Sequence, residues 1–378
     1  MTGGGGGAQM ANMAGRYLLT LTILPLLALG CDQGSDPDDA QLEARAGNAP
    51  PNGKQLFDDE TFDGNDRTCR TCHTTETGAL SPAQVQAAFA DDPDGPLFRS
   101  IDSDDGVGDD YTRLLSDATI LIDIPLPPGW TLADDPSATT ARFARAVPTT
   151  NNVPSLDTIF MADGRFTSLE DQALGAVFAH AEPGRVPTFA ELEAIADFQQ
   201  TNKFFSNNAL KDWANGGPPP ELPPGNTASE IRGREWFVPS VEGICGHCHA
   251  GPMLNETSEF LLAPVPPGGR FFTAFVSELN KAGNEVQTFV VDNGDGTTTI
   301  VESPDPGLAL ITGNPADANF FRIPTIWGAK DTAPYFHDNS AATLEELTQH
   351  YSDYFQIVGL PPLTAQEQAD IVAYTKLL

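Results

Sequence analysis

Apolar residues recur three and four positions apart in several segments of the chain, as on the buried face of a helix. The segments with this spacing are the predicted helices 189–206, 227–238, 343–355 and 364–378. Three of them follow a threonine with glutamate three positions later, the signature of a capping box. These pairs are Thr227 with Glu230, Thr343 with Glu346, and Thr364 with Glu367. Helix is therefore the main predicted structure.

Strand patterns are fewer. Residues 118–125 predict one strand, and residues 287–291 and 298–302 predict a hairpin that turns through Asn293-Gly294-Asp295-Gly296. Residues 216–226, rich in proline and glycine, cannot form a helix and are predicted to link two domains, 53–215 and 227–378. The expected fold class is mainly α with β insertions.

The chain carries the pattern C-x-x-C-H twice, as Cys69-Arg70-Thr71-Cys72-His73 and Cys245-Gly246-His247-Cys248-His249. In this pattern the two thiols form thioethers to a haem and the histidine binds its iron. The motifs predict two covalently bound c-type haems, each in a cytochrome c-like domain. A four-cysteine zinc site or two disulfides are alternatives, but neither requires a histidine after the second cysteine in both copies.

The N-terminus has the pattern of an export signal. Arg16 precedes an apolar run, 17–29, that is short for a membrane span and ends in Gly30-Cys31. We expect a lipoprotein signal peptide over 1–30, acylation of Cys31 and a flexible tether over 31–52, so that only the lipid anchor contacts the membrane. Plain secretion with cleavage nearby is the alternative. Either route predicts an extracytoplasmic protein. The lipoprotein route predicts a periplasm-facing lipoprotein of a Gram-negative bacterium.

Twenty Lys and Arg residues against 52 Asp and Glu give a net charge of −32. This charge argues against nucleic acid or anionic lipid as partners. It favours a basic electron-donor protein, although an acidic solvated surface explains it equally well.

Several further motifs resemble those of the bacterial di-haem cytochrome c peroxidase and MauG family. They are Gly53-Lys54-Gln55-Leu56-Phe57, Asp163-Gly164-Arg165 with Ser168 to Ala173, Gly233 to Phe237, and Thr332 to Asp338 with Thr343 to Glu346. The resemblance spans roughly residues 53–378. It implies that peroxide reacts at the first haem and that the second haem relays or stores electrons.

The resemblance also implies side chains over the reactive iron. Gln172 and Glu182 match the family's distal glutamine and glutamate, which would hold peroxide and move its proton. His180 is a second candidate acid–base group; all three could instead be ordinary surface residues. No histidine lies between His73 and His180, where the peroxidase branch has a covering ligand. We therefore expect the first haem to be open in the ferric state, with water or nothing opposite His73.

For the second haem the family's sixth ligand matches Tyr351, as in MauG. A tyrosinate would stabilise oxidised iron and lower its reduction potential. His350 is the rival ligand, and a tyrosine that merely packs in the core is the other alternative. Ala162 stands where the family has the tryptophan that connects the haems, so the resemblance predicts a different or slower route between them.

The resemblance further implies a calcium ion bound by Asn152 and by the carbonyls of Thr332 and Pro334. The predicted function is peroxide reduction at the first haem, with electrons from a small cytochrome c or cupredoxin relayed through the second. Alternatives are MauG-like oxidation of a protein or organic substrate through high-valent haem, and a di-haem electron-transfer cytochrome. A homodimer is a further arrangement to test.

Overall fold

The computed structural model describes residues 50–262 and 264–378. The predicted signal peptide, Cys31 and most of the tether lie outside the described residues. The helices of the described part are α1 Gly53–Asp59, α2 Cys69–Cys72, α3 Pro82–Asp91, α4 Thr112–Asp117, α5 Val153–Leu156, α6 Leu169–His180, α7 Phe189–Gln199, α8 Asn208–Ala214, α9 Ala228–Phe237, α10 Cys245–Cys248, α11 Val276–Leu279, α12 Ala309–Thr312, α13 Leu344–Ile357 and α14 Ala365–Thr375. None of them is both long and apolar enough to cross a bilayer.

The four helices predicted from apolar spacing are present, which confirms the mainly helical fold class. Helix α7 ends at Gln199, seven residues before its predicted end at 206. Its end is earlier because the Thr201 hydroxyl donates to the Phe198 carbonyl (2.8 Å) and the chain continues as a short 3-10 turn. Thr227 and Thr364 form full capping boxes. Thr343 also caps its helix, but the carboxylate of Glu346 binds the backbone N–H of Ala342.

The strands are β1 Thr119–Pro125, β2 Trp130–Leu132, β3 Thr140–Ala146, β4 Phe271–Phe272, β5 Gln287–Asp292, β6 Thr298–Ser303 and β7 Phe321–Arg322. The predicted strand β1 pairs antiparallel with β3, and the predicted hairpin is formed by β5 and β6. Strand β2 joins this hairpin by pairing with β5. A strand that precedes the Pro/Gly segment thus shares a sheet with two strands that follow it.

The Pro/Gly segment 216–226 contains no helix, as predicted. The segment contacts helix α14, because the Tyr374 hydroxyl donates to the Pro223 carbonyl at 2.8 Å. The domain limits drawn at this segment stay a prediction.

Each haem motif follows a helix that crosses another helix closely at a glycine. In α1, a Cβ on Gly53 would lie 1.9 Å from the carbonyl oxygen of Ala194 in α7. In α9, a Cβ on Gly233 would lie 2.0 Å from the carbonyl oxygen of Asp370 in α14. Only glycine allows such an approach of two backbones. In both halves of the chain, the helix before the motif therefore packs against a second helix through a glycine.

Candidate haem sites and distal cavity

Both C-x-x-C-H motifs form a single helical turn, α2 and α10, which brings their two cysteines to one face. The backbone N–H of His73 donates to the carbonyl of Cys69, and that of His249 donates to the carbonyl of Cys245, each at 2.9 Å. The histidine therefore continues directly from the turn that carries the thiols.

The two histidines are held by the same hydrogen bond. Nδ1 of His73 lies 2.7 Å from the carbonyl oxygen of Gly78, and Nδ1 of His249 lies 2.7 Å from that of Leu254, in each case five residues further on. A carbonyl can only accept, so Nδ1 carries the proton and Nε2 keeps a free lone pair. This is the tautomer that a metal-binding histidine requires, with its orientation fixed by the carbonyl.

The cysteines fit thioether attachment and do not fit the zinc or disulfide alternatives. All four are unpaired in the described part of the chain. No group of three or more His, Cys, Asp or Glu side chains that could hold a metal ion occurs among the described residues. Burial raises the pKa of the thiols, to about 11 for Cys72 and about 12 for Cys69, so they stay protonated until they react. The zinc and disulfide alternatives are therefore not supported.

A cavity lies beside the first motif, between strand β1 and helix α6. The first motif is near this helix, because Cys69 packs against the core cluster to which Ala173 and Val177 of α6 belong, and, besides burial, the charge of His73 is one cause of the lowered pKa of His180. The lining residues are Ile122, Asp123, Ile124, Pro125, Met161, Arg165, Phe166, Gln172, Gly175, Ala176, Ala179 and His180. Gly175, Ala176 and Ala179 are small, and the ring of Phe166 lies over Gly175, where a Cβ would come within 2.4 Å of it.

The predicted distal residues differ in their positions. Gln172 and His180 both line the cavity. Burial lowers the pKa of His180 to about 4, and its Nδ1 is buried with no hydrogen-bond partner in the described structure. Glu182 is exposed and does not line the cavity, and its carboxylate accepts a hydrogen bond from Asn65 at 2.8 Å. The structure thus brings together two of the three predicted distal side chains.

At the second site, Tyr351 of α13 packs in the core cluster that contains Cys245 and Met253. Burial raises the pKa of its phenol well above the usual value. His350 is buried on another side of the helix, where its Nε2 donates to the Ala274 carbonyl at 2.7 Å. One ring nitrogen of the rival ligand is therefore engaged, while its Nδ1 is buried with no hydrogen-bond partner in the described structure. The sixth ligand of the second haem stays a prediction.

Ala162, at the family's tryptophan position, is in contact with a residue of a buried ion-pair cluster. The backbone N–H of Arg322 donates to the Ala162 carbonyl at 2.7 Å, and the Arg322 guanidinium pairs with Asp157 at 3.0 Å. Asp157 also binds Arg270 at 2.8 Å and Asn255 at 3.0 Å. Nothing in the local sequence marks these long-range partners, and they were not predicted.

Asn152, one of the residues predicted to bind calcium, is engaged in other contacts. Its amide nitrogen donates to the Trp327 carbonyl (2.9 Å) and its oxygen accepts from the Ser206 N–H (2.8 Å). The calcium site formed by Asn152, Thr332 and Pro334 stays a prediction.

The fold and the two motifs define a c-type di-haem protein. Residues 52–211, which hold the first motif and the cavity, match the family model described as di-haem cytochrome c peroxidase. This match agrees with the two c-type haems that the motifs predict. A cytochrome-c peroxidase, IdrP1, of Pseudomonas sp. (strain SCT) is 26% identical over 157 residues, 40% of each chain. A cytochrome c551 peroxidase of Nitrosomonas europaea is 46% identical over 77 residues, 20% of this chain. These matches span 40% and 22% of the two relatives' lengths.

Two solved structures align over most of the chain. A MauG-like protein associated with microbial copper homeostasis is 20% identical, with 93% of this chain and 91% of that chain covered and a TM-score of 0.49. The di-haem peroxidase BthA of Burkholderia thailandensis is 15% identical, with 90% and 86% covered and a TM-score of 0.45.

Proposed function

We propose that the chain is a peroxidase-like oxidoreductase that reduces hydrogen peroxide at the haem of the first motif and receives electrons through the haem of the second. The observation that carries the proposal is the cavity beside the first motif, in which Gln172 and the unpartnered His180 face the same space. A buried polar atom without a partner is uncommon and costs free energy unless a ligand satisfies it.

The cavity side chains suit the handling of peroxide. A haem attached to Cys69 and Cys72 and bound by His73 would supply the iron at which the O–O bond breaks. The amide of Gln172 can donate a hydrogen bond to a peroxide oxygen without adding charge. The neutral imidazole of His180 can accept a proton from one oxygen and return it to the other. Two electrons and two protons convert each peroxide into two water molecules.

The experiment is to mix the all-ferric, haem-loaded protein with one equivalent of peroxide and follow the Soret band by stopped flow. A change that is slowed in Gln172→Leu and His180→Gln, but kept in the exposed-site variant Glu182→Gln, supports the proposal. If the protein is silent both as the ferric form and after one-electron reduction, it is an electron-transfer cytochrome.

A second candidate function is the oxidation of a protein or organic substrate in the manner of MauG. It is favoured by Tyr351, which shares a buried cluster with Cys245 and whose tyrosinate would stabilise an oxidised second haem. The two functions differ in where the oxidising equivalents go. Persistence of the oxidised spectrum after peroxide, in the presence of a small cytochrome c, supports the MauG-like function; rapid decay with oxidation of that cytochrome supports the peroxidase.

The donor and location follow from charge and chemistry. The net charge of −32 favours a basic small cytochrome c or cupredoxin as electron donor. Covalent attachment of c-type haem takes place outside the cytoplasm, which supports an extracytoplasmic protein held by a lipid on Cys31. Labelling with a radioactive fatty acid, with Cys31→Ser as the control, tests the anchor.

A further inference from the structure

We propose that the thioether of Met161 binds the iron of the first haem in the resting protein, in place of a covering histidine. The inference rests on the haem assigned to the first motif under the proposed function. It revises the expectation of an open iron, because a side chain of the cavity wall supplies the ligand.

The position of the sulfur is the first argument. Met161 lines the cavity together with Gln172 and His180. Its Sδ lies 3.9 Å from the amide nitrogen of Gln172, which is contact distance. A molecule that occupies the space in front of the Gln172 amide therefore meets the sulfur as well. The side chains of Met161 and Gln172 therefore border the same part of the cavity.

The backbone of Met161 is the second argument. Its φ of +68° lies in the left-handed region, which costs a residue other than glycine about 1–2 kcal/mol. Backbone strain of this kind persists where surrounding contacts impose it, and it concentrates at functional sites. In this conformation the side chain of Met161 lines the cavity.

Met161 begins a local turn, in which the Gly164 N–H donates to its carbonyl at 3.3 Å, and contacts from a distant part of the chain add to this. Nε of Arg322 donates to the Met161 carbonyl at 3.2 Å, and its backbone N–H donates to the next carbonyl, that of Ala162, at 2.7 Å. Arg322 is itself buried and paired with Asp157. Arg322 is thus a positioning residue for Met161.

The same contacts reach the second site. Asp157 accepts a hydrogen bond from Asn255, the residue after Leu254, and the Leu254 carbonyl holds Nδ1 of His249. A hydrogen-bonded path thus runs from the histidine of the second site to the backbone of Met161.

Chemistry makes the thioether a suitable ligand. Methionine opposite histidine is an established ligand pair for c-type haem, and a neutral thioether binds without losing a proton. A thioether is also a weak ligand for ferric iron, so peroxide can displace it. Met253 is the matched control, because it is buried at the second site and packs in the cluster with Cys245 and Tyr351.

The test uses the haem-loaded ferric protein and reads the near-infrared sulfur-to-iron charge-transfer band together with the electron paramagnetic resonance spectrum. We expect the band in the unmodified protein, its complete loss in Met161→Leu with one haem turning high-spin, and its retention in Met253→Leu. Haem content is compared first, so that spectra are read at two haems per chain.

Absence of the band in the unmodified protein, with one haem high-spin, would overturn the proposal. So would loss of the band in Met253→Leu alone, or loss of the low-spin signal in His180→Gln, which would assign the ligand to His180. A protein that shows the band but reacts with peroxide in no oxidation state would keep the ligand and refute the proposed function. The two proposals can thus fail separately.

Discussion

His180 and Glu182 lie two residues apart, yet His180 lines the cavity beside the first haem motif while Glu182 is exposed and bonded to Asn65. The cause is the end of helix α6 at His180. After Ala181 the chain adopts a left-handed conformation at Glu182, with φ +46°, and leaves the cavity wall. A half-buried imidazole thus faces the cavity, and the carboxylate predicted for the same task faces solvent.

This relationship predicts which residue carries the proton during peroxide reduction. His180→Gln should slow the reaction with peroxide by about 100-fold to 10,000-fold, the usual contribution of general acid–base catalysis. Glu182→Gln should change the rate by less than about threefold, because its carboxylate does not reach the cavity. Stopped-flow rates of both variants at equal haem content decide between them. A large loss of rate in Glu182→Gln alone would show that the glutamate, and not His180, carries the proton.

A second prediction concerns Gln172, which donates a neutral hydrogen bond in the cavity. Gln172→Leu should slow the peroxide reaction by about 100-fold, as loss of one donor to a developing charge does, with little change in the spectrum of the resting protein. Gln172→Glu is the companion variant of similar shape. If both variants react at the unmodified rate, Gln172 does not contact peroxide.

The third prediction concerns the second haem. Tyr351→Met should raise its reduction potential by on the order of 0.1 V, because a neutral thioether favours reduced iron more than a tyrosinate does; axial ligands span roughly 0.8 V in all. His350→Gln should leave the potential unchanged, since that histidine is bonded to Ala274. A redox titration of each variant measures this. An effect of His350→Gln as large as that of Tyr351→Met would exclude tyrosine ligation.

The fourth prediction is about stability. Asp157 is buried and pairs with Arg270 and Arg322. Asp157→Asn should therefore lower the free energy of unfolding by about 3–5 kcal/mol, because it leaves two guanidinium groups without their counter-charge. The control is Asp123→Asn, since Asp123 and Arg142 form a half-exposed pair whose loss should cost less than about 1 kcal/mol. Chemical denaturation of the haem-loaded variants tests the difference; equal effects would contradict it.

The fifth prediction concerns acid. The Arg232 guanidinium lowers the pKa of Asp370 to about 2, with further hydrogen bonds from Ser229 and Gln366. A carboxyl group with a folded pKa below its unfolded value near 3.8 stabilises the fold above that value. This stability is lost as the pH falls toward 2. Asp370→Asn should therefore be less stable than the unmodified protein at pH 7, with the difference shrinking between pH 4 and pH 2. Thermal unfolding across this range measures the difference, and a constant gap would refute the prediction.

Features that depend on residues close together in the chain could be predicted from the sequence. Capping boxes, apolar spacing and the C-x-x-C-H turns are local, and the four helices and both motifs follow the prediction. Strand β3 was missed because residues 140–146 include Arg142 and Arg145, which do not suggest a buried strand. Arg145 is buried all the same, because Asp305, 160 residues away, neutralises it with hydrogen bonds of 2.6 and 2.8 Å.

In the candidate site, too, some residues could be predicted from local sequence and others could not. Gln172 and His180 could be named from a motif, because α6 presents them on one face at helical spacing. The role proposed for Met161 could not be predicted, since its position involves an unusual backbone conformation and a contact with the distant Arg322. Such contacts join residues far apart in the chain, and no local pattern records them.

The equal hydrogen bonds of His73 and His249 have a consequence for the electron energies of the two sites. Each imidazole donates to a backbone carbonyl at 2.7 Å and gains the same basicity from it. This hydrogen bond therefore does not distinguish the two irons. A difference in reduction potential between the haems has to come from their other surroundings, such as the Arg70 charge near His73 and the phenol of Tyr351 near the second motif.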